Sequence, residues 1–307
     1  MRQEAIMEFG ELSRQDVTEN LLFAKEMELH GQLLQIPTRG GVRDAMIYPS
    51  NREGVRPVIF EIYGGAFSQG YVANDDRLRT RMRDATDFHV IGLDYRKTPD
   101  YPYPCALEDI FDAICYFCDH ADLYRIDLTR MAVWGHSAGG NLAAAVALLA
   151  KETGRFSLKA QLLDYPAVDC VTPSQIKTGG DAVEVWDVFP ALYAPQELRR
   201  SKYVSPVCAS LEELAGTAPA AVLICDRDVG RMESEKMVEK LLHAGVPVMA
   251  RLFPGSSHGF VEHWFFREWY VERMSPDQRA ELPENLEEMA EAGLAFMVDA
   301  AKFYLTK

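Results

Sequence analysis

The chain has 307 residues and a mass of 34.6 kDa, with 48% apolar and 25% charged residues, enough to bury a large core in a water-soluble globular protein. Its net charge of −14 and pI near 5.0 argue against a nucleic-acid or anionic-membrane partner, which would favour a basic surface. The longest apolar run, 142–150, is too short to span a bilayer, and the opening MRQEAIMEFGELSRQ lacks the apolar stretch of a signal peptide, so a cytoplasmic location is expected.

Residues 1–35 read as amphipathic helix with no strand. From about residue 45 onward, β-rich apolar runs alternate with helical patterns. The first confident strand is 58–62, just after Pro57. It runs into Tyr63-Gly64-Gly65-Ala66-Phe67, a turn poor in side chains, where backbone N–H groups can approach a tetrahedral oxygen. Gly64, Gly65 and Ala66 are therefore candidate oxyanion donors, against the plainer reading of an ordinary turn.

A helix is predicted over 76–86, a strand over 89–94 and a helix over 106–120. The last contains Cys115-Tyr116-Phe117-Cys118. No second CxxC and no suitably spaced histidine complete a zinc site, and the pair lies inside a helix, not at its start where a thiolate is stabilised. These two cysteines, with Cys105, Cys170, Cys208 and Cys225, are expected to be free thiols, and no metal is implied.

The strand 131–134 is followed by Gly135-His136-Ser137-Ala138-Gly139-Gly140 and a helix over 138–152. This is G-x-S-x-G in its required context of strand, tight turn and helix. The turn strains the serine backbone and brings neighbouring chain close, so the flanking positions favour glycine. Ser137 is the candidate nucleophile, and the Ala138 N–H at the helix start is a second oxyanion donor.

After a strand at 160–164, the segment 171–203 breaks the alternation. It carries Pro173, Gly179, Gly180, Pro190 and Pro195 among Trp186, Phe189 and Tyr193. It reads as an addition to the sheet that packs with the first 35 residues as a cap, or as a plain surface excursion. The strand 220–224 leads into Cys225-Asp226-Arg227-Asp228-Val229-Gly230, then a helix over 233–244 and the last strand, 248–253.

A weak serine nucleophile needs a general base, and histidine suits neutral pH. Of seven histidines, His30, His89, His120 and His243 lie in helical or strand patterns, and His136 should point away from the Ser137 hydroxyl. His258 follows the last strand directly and is the candidate base, with His263 as runner-up. Asp226 and Asp228 serve equally well on chemistry as the acid that orients the imidazole. Beyond them Phe260, Trp264, Phe265, Phe266, Trp269 and Tyr270 crowd together over 260–285, and a final helix is predicted over 286–305. The aromatic cluster can wall the pocket, fill the core or form the contact of a homodimer.

The pattern implies one α/β domain over 1–307: a mostly parallel central sheet with helices on both faces, a helical cap from 1–35 and 171–204, and an aromatic-rich extension over 260–285. In detail the sequence resembles the hormone-sensitive-lipase-like branch of the α/β-hydrolases, the bacterial carboxylesterases and acetyl esterases, over roughly residues 55–260. The likeness rests on the elbow through Asn141, on Asp94-Tyr95-Arg96 with Pro99, Pro102 and Pro104, on Ala106-Leu107-Glu108-Asp109, on Ser205-Pro206, on 244–248, and on His258-Gly259-Phe260.

The resemblance implies a Ser137, aspartate and His258 triad without metal or cofactor. An ungapped match selects Asp228 and aligns Arg231 with the arginine of the family motif; a gapped one selects Asp226. Three features depart from the family: Tyr63 stands where its loop begins with histidine, Val229-Gly230 replaces Pro-Leu after the acid, and the tail after His258 is longer than typical. The expected activity is hydrolysis of small-molecule, short-chain carboxylic esters. Rivals on the same scaffold are a sugar or xylan deacetylase, an arylformamidase and a peptidase; from another class, a non-catalytic ligand-binding protein. A Rossmann oxidoreductase is disfavoured because no G-x-G-x-x-G follows the first strand.

Overall fold

The computed structural model describes residues 3–180, 182–280 and 282–306. Asp181, inside the expected cap insertion, Glu281, inside the aromatic-rich extension, and the chain-end residues Met1, Arg2 and Lys307 lie outside them. The chain opens with helix α1 (Gln3–Glu26) and an antiparallel hairpin, β1 (Gln32–Thr38) and β2 (Gly41–Tyr48), registered from Gln32 opposite Ile47 to Thr38 opposite Gly41. Then follow β3 (Arg56–Ile62), α2 (Asp76–Thr86), β4 (His89–Leu93), α3 (Cys105–Asp119) and α4 (Ala121–Tyr124). The centre is β5 (Ile126–His136), α5 (Ala138–Thr153) and β6 (Ala160–Asp164). Two short helices, α6 (Ser174–Thr178) and α7 (Glu184–Tyr193), interrupt the alternation, and α8 (Leu211–Leu214) follows. The chain resumes with β7 (Ala220–Arg227), α9 (Arg231–His243) and β8 (Val248–Ser257). It ends with α10 (Phe260–Phe265), α11 (Arg267–Arg273), α12 (Pro276–Ala280) and α13 (Leu286–Leu305).

The eight strands form one sheet in the order β1-β2-β4-β3-β5-β6-β7-β8. From β4 to β8 every neighbour pair is parallel; β1 and β2 join antiparallel at one edge. Side chains of a strand alternate between faces, so the uninterrupted burial of β4 and β6 means that helices cover both sides. α2 packs with α13, and α3 packs with α5. α1 packs against α7, which brings the two additions to the sheet into contact.

One expectation fails here: residues 32–35 are strand, not helix. In β1 Ile36 alone is fully buried, and the Leu33-Leu34 pair reads locally like a helix face. Pairing with β2 overrides that local pattern. β5, β7 and β8 also run longer than expected, because their ends carry polar residues that still pair in the sheet. Cys115 and Cys118 lie within α3, and all six cysteines are free. Burial pushes the Cys118 thiol up to about 12.

Candidate active site

β5 ends at His136 and α5 begins at Ala138, leaving Ser137 alone on the turn, with φ 52° and ψ −116°. Such a conformation costs on the order of 1–3 kcal/mol and persists only when its surroundings over-determine it. They do so here. The Ser137 N–H donates to the Asp164 carbonyl at 3.0 Å, and the Ser137 carbonyl accepts from Asn141 N–H at 3.1 Å and Ala167 N–H at 3.0 Å. The flanking glycines are required by space. A Cβ at Gly135 would lie 2.2 Å from the Gly139 carbonyl oxygen, and one at Gly139 would lie 1.9 Å from that of Ile62.

His258 directly follows β8, and its Nε2 lies 2.8 Å from Ser137 Oγ. Its Nδ1 lies 2.7 Å from Asp228 Oδ2. Asp228 is buried, with a side-chain exposure of 1%, whereas His258 is partly open at 31%. The Gly230 N–H donates to the other Asp228 oxygen at 2.9 Å, fixing the carboxylate. The indole of Trp186 and the phenol of Tyr165 stand edge-on to the imidazole, with centroids at 5.1 and 5.2 Å. The three side chains therefore meet in hydrogen-bonding order.

Asp226 is elsewhere. It sits at a register shift between Cys225 and Arg227 in the β7–β8 pairing. Its carboxylate accepts from Gly255 N–H at 2.9 Å and Arg231 Nη1 at 2.7 Å. Its cation is thus Arg231, not the neighbouring Arg227. His263 does not reach the Ser137 hydroxyl chain either; it lies in α10, with its ring 5.4 Å from that of Tyr270. Burial first, and then His258, push it down to about 4, so it is neutral.

The loop after β3 lies against the elbow. A Cβ on Gly64 would come within 3.1 Å of the His136 carbonyl oxygen and 3.4 Å of Ser137 Cβ. The loop's carbonyls are held from the other side. Tyr95 Oη donates to Tyr63 O at 3.3 Å and to Gly64 O at 3.2 Å, and Gly65 O accepts from Ser68 and Gln69 N–H. Gly65, Ala66 and Phe67 all have positive φ. With the carbonyls so engaged, Gly64, Gly65 and Ala66 carry no N–H bond to protein among the described residues, and Ala138 N–H at the first turn of α5 has no intrahelical acceptor. Tyr63 stacks on Tyr95 at 4.8 Å and donates its hydroxyl to Asp94, which also pairs with Lys97 at 2.9 Å. A cavity of about 200 Å³ opens on Ser137, bordered by this loop, His258, Trp186, Phe189, His263 and Tyr270.

Beneath the elbow lies a buried charged cluster. His136 Nδ1 is 2.8 Å from Asp164 and 3.9 Å from Glu262; its Nε2 is 3.5 Å from Glu61. Arg79 Nε donates to Glu61 at 2.5 Å, Trp134 Nε1 to Asp164 at 2.8 Å, and Tyr165 Oη to Glu262. Burial opposes a charge on His136, but the facing acids outweigh it and raise its pKa. Burial pushes Glu262 up to about 8 and, with Glu61 beside it, Asp75 up to about 6. Glu61, Asp75 and His136 are close enough together to share a metal ion, yet Arg79 already supplies the neutralising cation there. Glu61 was the available signal for this cluster: a lone acid within the apolar strand 58–62 demands a partner.

The family model described as alpha/beta hydrolase fold matches residues 59–262. Carboxylic ester hydrolase LipN of Mycobacterium tuberculosis is 32% identical over 243 residues, covering 74% of this chain and 63% of that protein. Arylesterase of Saccharolobus solfataricus is 28% identical, covering 77% and 76%. A thermostable esterase from Pseudomonas putida superposes with a TM-score of 0.80 at 24% identity, over 99% of this chain and 97% of that one, a likeness of fold. The hyperthermophilic esterase of Pyrobaculum calidifontis superposes with a TM-score of 0.76 at 28% identity, over 94% and 93%. The chain thus spans a little under two thirds of LipN. No helix among the described residues is long and apolar enough to cross a membrane.

Proposed function

Because the chain belongs to the α/β-hydrolase-fold family, in its hormone-sensitive-lipase-like branch, we propose that it hydrolyses small carboxylic esters of short acyl chains through Ser137, His258 and Asp228. The observation that carries this reading is the hydrogen-bonded file from Asp228 Oδ2 through the imidazole to Ser137 Oγ, at 2.7 and 2.8 Å.

His258 Nε2 takes the Ser137 proton as Oγ attacks the ester carbonyl carbon. The imidazolium that forms is stabilised by Asp228, which also fixes the tautomer through Nδ1. The carbonyl oxygen gathers negative charge and is met by N–H groups from Ala138 and from Gly64, Gly65 or Ala66. A single donor of this kind is typically worth on the order of 10²–10³ in turnover. The tetrahedral adduct collapses, and the alcohol leaves with the proton from Nε2. Water, deprotonated by His258, then attacks the acyl-enzyme and releases the acid. α1 with α6 and α7 forms the cap of this site.

Turnover of p-nitrophenyl acetate and butyrate tests the reading. Ser137→Ala is expected to lower kcat by about 10⁴-fold or more. Undiminished turnover in that variant refutes the assignment. Labelling of Ser137 by a fluorophosphonate separates an enzyme from a ligand-binding protein on the same fold.

A further inference from the structure

The cavity over Ser137 has two unlike walls. Helix α7, with Ala167, contributes Val185, Trp186 and Phe189, which are apolar. α10 and α11, with Gln69, contribute Glu262, His263 and Tyr270, which are polar. An ester has two arms that diverge from the attacked carbon, so a cavity with one apolar and one polar wall treats them differently.

Two of the four polar groups are already committed. The Glu262 carboxyl is taken by the Tyr165 hydroxyl. The Tyr270 phenol faces the Asn74 side chain, whose amide acts as a donor toward its oxygen. The other two have bonding capacity to spare. His263 Nδ1 is buried with no protein partner, and its Nε2 edge fits the space that Gly259 leaves by lacking a Cβ, which would lie 3.0 Å away. A neutral imidazole carries one donor and one acceptor. The Gln69 amide, half-buried at the cavity rim, makes no protein hydrogen bond among the described residues and offers donors and an acceptor. An imidazole that lines a cavity and has no protein hydrogen bond on either ring nitrogen among the described residues is the kind of group that a ligand completes.

We propose that Gln69 and His263 form a polar subsite for a hydroxylated arm of the substrate, so that the preferred esters carry a hydroxyl group close to the scissile bond. This rests on the ester-hydrolase reading and narrows its substrate class. The hydroxyl can belong to the acyl chain or to the alcohol. Either way it exchanges hydrogen bonds with both the imidazole and the amide, while the other arm lies on Trp186 and Phe189. A site built to pair a hydroxyl discriminates against the analogue lacking it, because the protein groups are then left unpaired.

Matched pairs of esters test this. p-Nitrophenyl 3-hydroxybutyrate against p-nitrophenyl butyrate probes the acyl arm; glyceryl monoacetate against propyl acetate probes the alcohol arm. The expected result is a kcat/KM ratio of about 10 or more in favour of the hydroxylated ester in one pair. That ratio should fall toward one in His263→Leu and in Gln69→Leu, whatever the absolute rates. Gln69 is partly exposed, so its variant stands if the His263 variant fails to fold. Ratios near one in both wild-type pairs, or a ratio that survives both substitutions, overturn the subsite. If plain esters are turned over and Ser137 is labelled by a fluorophosphonate, the subsite alone has failed. If neither occurs, the ester-hydrolase reading has failed with it.

Discussion

Asp226 and Asp228 are two residues apart and chemically alike, yet they hold different partners. Asp228 is sealed from water and meets His258; Asp226 braces Gly255 and Arg231. Asp228→Asn should leave the fold in place and lower kcat on the order of 10³–10⁴-fold, because the amide favours the wrong imidazole tautomer. Asp226→Asn should act through the position of the β8 end and cost no more than about 10-fold, as a lost partly exposed contact. Steady-state kinetics on one ester, with a denaturation curve for each variant, separates the two. At this scale the sequence was legible where a motif fixes local geometry. Gly135 and Gly139 are demanded by the closeness of backbone around Ser137, and that demand is written in the pentapeptide itself. Local chemistry left the two aspartates equal and only the ungapped family match favoured Asp228, because their placement depends on a register shift between β7 and β8 that no local pattern encodes. The cluster around His136 was missed for a related reason: its acids come from β3, β6 and α10, far apart along the chain.

Among the elements, α6 and α7 are tied to α9 by a buried contact. Lys177 of α6 donates to the Asp169 carbonyl at 2.7 Å, lies 3.3 Å from Glu233 of α9, and sits over the Trp186 ring at 5.2 Å. Burial pushes Glu233 up to about 8, so at neutral pH its carboxyl is largely protonated. Removing the lysine therefore strands little charge. Lys177→Met should cost about 1–3 kcal/mol, the scale of lost buried hydrogen bonds, and not the larger penalty of an orphaned ion. The denaturant midpoint gives the stability, and a change in KM on a larger ester would report a shifted Trp186. The long periodic elements were readable: α2 and β6 match their expected bounds, and α13 does as well. The edge hairpin was not, because β1 and β2 carry polar residues on their outer face and gain their form only by pairing.

Across the whole molecule, the buried acids set how stability depends on pH. Burial raises Glu233 and Glu262 from 4.5 to about 8, and Asp75 from 3.8 to about 6. Each keeps its proton in the fold at pH values where the unfolded chain has lost it. The stability they contribute is full below the unfolded pKa and is lost as pH rises through the folded one. Asp84 and Asp112 act in the opposite sense. Despite burial, Arg83 and Arg39 hold them below 3.8, so their contribution is lost in acid. The melting temperature should accordingly peak near about pH 5–6 and decline toward about pH 9, followed by circular dichroism. A flat profile over that range would contradict the burial of these carboxyls.

The clamp on Ser137 has a wider consequence. Its strained backbone is bonded to Asp164 and Ala167, beside the same sheet whose strands deliver Asp228 and His258. The remaining walls of the cavity over Ser137 come instead from α7, α10 and α11. On the proposed reading, reactivity and selectivity are thus lodged in separate parts of one chain. Redesign of the helices can redirect which molecules are accepted, and the bond-breaking apparatus need not be rebuilt each time.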